Sequence, residues 1–319
     1  MLNIFLIFLT AAKGAITLNY YYPPLLYQRE EKRNIVKIGL ALLIIMIVPA
    51  VFQFAATAIA CKLSSQAANS AGFDFFLVFV PQYLLAYPLA VVVLRRLPQY
   101  SIPQRSLGIN SFFHYFCICY LALTVGSLLN TIFNRILQFF CQINPDFSLS
   151  ELLNQFNLPT VFLLTVLLAP LAEELIFRKM LLDRLIKYGE LPAVITSGLV
   201  FGLCHGNFSQ FFYAVLVGWV FAYIYVKTGK IRYSICLHMI INFWGSVMPM
   251  SIIQNLNQLL FVIYITTSLA LIILGVIYCI SYRKKWHFAP SDFDLSTKEA
   301  LKIIWLNWGM ILAVLVCFV

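Results

Sequence analysis

Apolar positions in this chain come in long unbroken runs, at about 36–60, 75–94, 112–134, 159–177, 191–207, 209–226, 231–249, 258–281 and 299–318. A helix rises 1.5 Å per residue and needs roughly 20 residues to cross about 30 Å of hydrocarbon, so the pattern predicts about eight or nine crossings. Open strands are excluded because lipid cannot satisfy a free sheet edge, and barrel strands would be shorter and alternating. The expected fold is therefore all-α, a polytopic transmembrane helical bundle. Ser296-Thr297-Lys298-Glu299 reads as a capping box opening the last helix.

Composition agrees: 62% of the 319 residues are hydrophobic and 11% charged, against about 45–50% and 25% in globular proteins. That leaves too little polar surface to cover a water-soluble globule, and too much hydrophobicity for a disordered chain. Residues 1–35 read as a short apolar or re-entrant segment, Met1 to Ala12, followed by a basic cytoplasmic stretch. Residues 36–319 read as one transmembrane domain, with gaps too short for a folded extramembrane module. No internal repeat or low-complexity tract appears.

The net charge of +10 changes the topology rather than the function class. Twenty of the 22 Lys and Arg fall in one set of alternate gaps, and only Lys62 and Arg135 in the other. This bias assigns the rich set to the cytoplasm, and confinement to short gaps speaks against a nucleic-acid footprint. The eight cysteines lie mostly within or beside apolar runs without a CxxC pair, as inert small hydrophobes do.

Ionisable groups at membrane depth are expensive, so each is a candidate functional residue. Glu173 and Glu174 lie about 14 residues into the fourth run, which descends toward the cytoplasm, so both are expected in its cytoplasmic half. Arg178 follows Glu174 at i+4 in the favourable acid-before-base order. The bland reading of that pair is an ion pair at the cytoplasmic helix end, while Glu173 faces about 100° away with no obvious local partner. His205 closes Phe-Gly-Leu-Cys-His before a Gly206-Asn207 turn, where a backbone-bonded turn histidine is the bland reading. His238 and Asn242, at i and i+4, share one face of an apolar helix, where helix-packing hydrogen bonds are the bland reading.

Together these residues have a specific chemistry. A carboxylate beside an imidazole can deprotonate water and return the proton to a leaving amine, as peptide hydrolysis requires. His and Asn donors can steady the developing oxyanion. Two histidines and a carboxylate, Glu173, His205 and His238, can equally hold a divalent metal such as zinc that activates the water. The sequence leaves both routes open.

The ordered triplet Glu173-Glu174-x-x-x-Arg178, Phe201-x-x-x-His205 and His238-x-x-x-Asn242 resembles the CAAX protease and bacteriocin-processing (Abi) family of intramembrane endopeptidases. The similar helical core covers about 150–280. The resemblance implies a glutamate-dependent or metal-assisted protease, with its site in a cavity open toward the cytoplasm of a bacterial cell membrane. By position it implies that Glu173 activates the water with His205, that His238 and Asn242 stabilise the oxyanion or help hold a metal, and that Glu174 and Arg178 support them. The implied substrate is a membrane-associated peptide or lipidated protein. Pro170 is compatible with the family pattern, and would kink the helix or admit water by freeing a backbone carbonyl. A catalytically silent immunity or scaffold protein is the alternative, and an ion-coupled transporter a more distant one, since no two-halves symmetry appears.

Overall fold

The structure, a computed structural model, describes residues 25–63, 71–141, 156–293 and 295–317. The Met1–Ala12 segment lies outside them. Among the described residues there is no strand, and every one of the apolar runs is helical. The helices are α1 (Leu25–Leu63), α2 (71–94), α3 (Ile109–Cys141), α4 (Leu158–Tyr188), α5 (Glu190–Leu203), α6 (Phe208–Thr228), α7 (231–255), α8 (Gln258–Tyr282), α9 (Thr297–Trp305) and α10 (Trp308–Val316). The chain is a polytopic helical membrane protein, as the pattern predicts.

The crossings are less uniform than the runs suggest. Among the described residues six helices, α1, α3, α4, α6, α7 and α8, are each long and apolar enough to span. The last run is not one continuous helix: α9 and α10 meet at 71°. Asn307 makes the break, because its Nδ2 donates to the Ile304 carbonyl closing α9 while its Oδ1 accepts from Met310 N opening α10. One side chain thereby satisfies backbone groups at two helix ends. The predicted capping box forms as well, with Glu299 N donating to Ser296 Oγ at 3.3 Å and Ser296 N to Glu299 Oε2 at 3.0 Å.

Two compact units divide the described chain. One comprises residues 22–99 and 301–319, where α1 and α10 cross at paired glycines. A Cβ on Gly39 would lie 2.2 Å from the Gly309 carbonyl carbon, so neither helix could approach with a larger residue there.

The other unit, residues 100–300, holds α3 to α8. Helix α6 packs between α3 and α5, and again small residues set the distance. Gly198 and Gly202, one turn apart on α5, would each drive a Cβ into α6, at 2.1 Å from Trp219 and 2.3 Å from Val215. Gly126 of α3 would meet the Tyr213 Cα of α6 at 2.2 Å. Without a hydrophobic drive between helices in lipid, such close backbone approach supplies the dispersion contact that holds them.

Helix α4 departs most from expectation. The sequence ends its span near residue 177 and places Arg178 to Lys187 in a loop, whereas the helix continues to Tyr188. Its extension is covered by chain from other gaps. Tyr100 N donates to the Asp183 carbonyl at 2.8 Å, Asp292 N to the Lys187 carbonyl at 3.1 Å, and Ser291 Oγ to the same carbonyl at 3.1 Å. Asp183, Arg184 and Lys187 are buried in consequence. Arg178 is fully buried too, so it does not count as a loop charge. Glycine at 189, with φ +105°, then allows the abrupt turn into α5 that a side chain would strain.

Candidate active site

The turn at Gly189 joins the helices that carry the first two motifs. Glu173 precedes Gly189 by sixteen residues and His205 follows it by sixteen. Equal counts would level the two residues on regular α-helices, but the α4 arm runs in π register over Leu175–Leu182 and His205 follows the end of α5 at Leu203. Across Gly229 the two arms do meet: Phe221 precedes it by eight residues and His238 follows it by nine. There the imidazole stacks on the phenyl ring, with centroids 4.7 Å apart and planes 29° apart.

His238 is the junction of the cluster. Its Nδ1 lies 3.1 Å from Glu174 Oε1 and its Nε2 lies 3.7 Å from Glu173 Oε2. Consecutive helical residues point about 100° apart, yet the two nitrogens on separate corners of one ring reach both. Glu173, without a local partner in the sequence, thus finds one on α7. Since a carboxylate only accepts, Nδ1 carries the proton toward Glu174 and Nε2 is the nitrogen turned to Glu173.

Glu174 and Arg178 form the expected i, i+4 pair at 3.1 Å, but both side chains are 0% exposed. The pair is therefore not an exposed helix-end ion pair: α4 continues past it to Tyr188, and side chains of α5, α6 and α7 cover it. The Nε to Oε2 approach is a close ion pair without a well-aligned hydrogen bond. Further support comes from Arg178 Nη1 donating to Ser197 Oγ at 2.9 Å, and from the guanidinium lying 5.2 Å from the Phe201 ring centroid and 5.7 Å from that of Phe221. Desolvating two charges costs several kcal/mol per ion, which such partners must offset.

Phe201 links both histidines. Its ring meets His205 edge to face at 4.9 Å and His238 at 5.7 Å, and it also packs against Phe177 at 5.1 Å. The i, i+4 spacing in Phe201-x-x-x-His205 does this by stacking the two side chains on one face of the helix end. His205 Nδ1 bonds the Phe201 carbonyl at 2.7 Å, as a turn histidine would, and Nε2 is the ring nitrogen outside that bond. The turn itself forms where Gly206 takes φ +65°.

Asn242 is placed beside α4, but its amide is engaged: Nδ2 donates to the Thr165 carbonyl at 2.8 Å. The carbonyl expected to be freed by Pro170 is thus met by a side chain. Glu173 is 17% exposed, in contrast to its fully buried neighbour. A cavity of about 540 Å³ lined by Phe112, Phe116, His114, Ile240 and Tyr278 lies elsewhere. Ile240 sits midway between His238 and Asn242 in sequence, which places it on the opposite face of α7.

Sequence reasoning left out Phe221, Ser197 and Thr165. None carries a spacing signal by itself; each is recruited by packing between helices. The glycine pair at 198 and 202 was the legible sign that α6 would lie close enough to bring Phe221 in.

Comparison with known proteins agrees with the motif resemblance. Residues 155–244 match the profile of a family described as type II CAAX prenyl endopeptidase Rce1-like. That stretch contains all three motifs. A Bacillus subtilis (strain 168) protein named "Putative membrane peptidase YdiL" is 26% identical over 98 residues, 30% of this chain and 40% of that protein. The chain thus aligns with about two fifths of the length of the curated relative it matches. No solved structure matches it.

Proposed function

We propose that this integral membrane protein is an intramembrane endopeptidase that hydrolyses peptide bonds of membrane-associated peptides or lipidated proteins through a water activated by Glu173. The observation that carries the reading is the division of labour within the acid pair. Glu174 is committed to Arg178 and His238, while Glu173 is partly exposed and faces His238 Nε2 across 3.7 Å. A water about 2.8 Å from each of those two atoms closes a triangle over that gap.

In this reading Glu173, with His205, takes the proton from water as the oxygen attacks the scissile carbonyl, and passes it to the leaving amine. The second amide proton of Asn242 stabilises the oxyanion, and His238, held through Nδ1–H by Glu174, joins it as the imidazolium that also carries a proton on Nε2. Arg178 fixes Glu174. The Rce1-like match supports this class of activity, and a bacterial cell membrane with the site reached from the cytoplasm is part of the proposal.

A metal-held water is the other route open to the same residues. Of its candidate ligands, Glu173 and His238 approach one another, but among the described residues no three His, Cys, Asp or Glu side chains converge as a ligand set. We route no step through a metal. The test is cleavage of a membrane-associated peptide by reconstituted protein: Glu173→Ala and His205→Ala should each abolish it while remaining inserted, and full activity in both would refute the reading. Zinc measured in purified protein and released by His205→Ala would replace the glutamate route with the metal route.

A further inference from the structure

In α4 the backbone bonding runs in π register over Phe162–Leu168, and its last bond is from Ala169 N to the Leu164 carbonyl, five residues back. The next bond in that series would run from residue 170 to the Thr165 carbonyl. Residue 170 is proline and has no N–H to give. The π stretch ends there, and the Thr165 carbonyl, inside an apolar bundle, instead accepts the Asn242 amide from α7 at 2.8 Å. An unpaired carbonyl at this depth would cost several kcal/mol, so the acceptor and the amide have a strong reason to find each other.

We infer that Pro170 is a positioning residue: by leaving Thr165 without its backbone donor it creates the anchor that fixes the Asn242 amide, and with it the rotation of α7 that turns His238, one turn earlier, toward Glu173. Three features of the chain make the anchor. The π register selects Thr165, the proline vacates it, and the i, i+4 spacing of His238 and Asn242 transmits the constraint to the imidazole. Thr165 Oγ1 is itself held by the Val161 carbonyl at 2.8 Å, so the hydroxyl does not compete for the amide.

The role of Pro170 in turnover rests on the peptidase reading; the anchor itself does not. Two measurements on the full-length protein in detergent separate them. The first is the side-chain amide resonance of Asn242, identified by its loss in Asn242→Ala. Pro170→Ala restores the missing donor and should move this resonance to the position of an unanchored amide; an unmoved resonance overturns the inference.

The second is steady-state cleavage of a membrane-associated peptide. Pro170→Ala should lower kcat about tenfold with KM unchanged, whereas Asn242→Ala should lower it about 100-fold. The double variant should be no slower than Asn242→Ala alone. Multiplicative losses, or wild-type kcat in Pro170→Ala, overturn the positioning role. If Pro170→Ala does not insert, Pro170→Ser supplies the same backbone N–H, and the same shift of the Asn242 resonance and the same kcat loss at constant KM are expected. Should Glu173→Ala cleave normally, the peptidase reading fails, and the amide resonance still decides whether Pro170 sets Asn242.

Discussion

Helix α4 carries two carboxylate–cation pairs at identical i, i+4 spacing, and they behave as different objects. Glu174 and Arg178 lie fully buried among Ser197, His238 and the Phe201 and Phe221 rings. Five residues further on, Lys179 and Asp183 pair at 2.8 Å with the lysine 53% exposed, and Asp183 also accepts from Tyr225 Oη at 2.7 Å. The first pair has the acid before the base, and the second has the reverse, less favourable order. Helical spacing creates both pairs; only enclosure by α5, α6 and α7 makes one of them a fixed internal scaffold. Beside that scaffold Glu173 stays partly exposed, and in the proposed function it is the acid that activates the water.

If Glu173 is the base the proposal makes it, removing it should produce the largest change. Glu173→Gln keeps shape and hydrogen bonding but removes the base, and cleavage should fall by about 10²–10⁴ with no change in melting temperature. Breaking the scaffold comes next. Arg178→Ala leaves Glu174 buried without its cation and should cost about 3–5 kcal/mol, read as loss of folded protein in thermal unfolding. Replacing both partners with Leu and Met should recover much of that stability without recovering cleavage, because Glu174 would no longer orient His238.

A smaller effect follows from loosening the enclosure. In Gly198→Val the added carbons meet the Trp219 ring, and overpacking of this kind costs about 1–3 kcal/mol. Melting temperature and kcat should fall together, since Phe201 and Ser197 move with α5; a stability loss with unchanged kcat would detach the α5 rings from the reaction. Smallest of all is Lys179→Ala at the exposed pair, where about 0–1 kcal/mol and wild-type cleavage are expected. A loss comparable to Arg178→Ala would erase the contrast between the two halves of α4.

The motif residues were readable as a group because polar side chains are rare in such runs and their spacings are helical. Glu174 with Arg178 followed from i, i+4 alone. Their burial did not: Arg178-Lys179 looks like the charged end of a span, and nothing local announces that the helix continues to Tyr188 under cover of loops beginning 80 residues before and 100 after. The partner of Glu173 was equally hidden, since His238 lies 65 residues away and meets it only through the Gly189 and Gly229 turns. For Asn242 the spacing was informative and the destination was not. Its amide goes to Thr165 because a proline interrupts a π-helical series, and that register depends on how α4 packs.

The sequence by itself determined that the chain is a helical membrane protein, where its apolar helices lie and which few polar residues stand out among them. Those properties follow from length, hydropathy and spacing, which act within one helix. Only the tertiary structure decided which acid is enclosed and which stays partly exposed, which ring nitrogen faces which carboxylate, and that the last run breaks at Asn307. Burial and hydrogen-bond choice are settled by groups brought together from distant parts of the chain, where an unsatisfied charge or carbonyl in an apolar interior costs more than any local preference can supply.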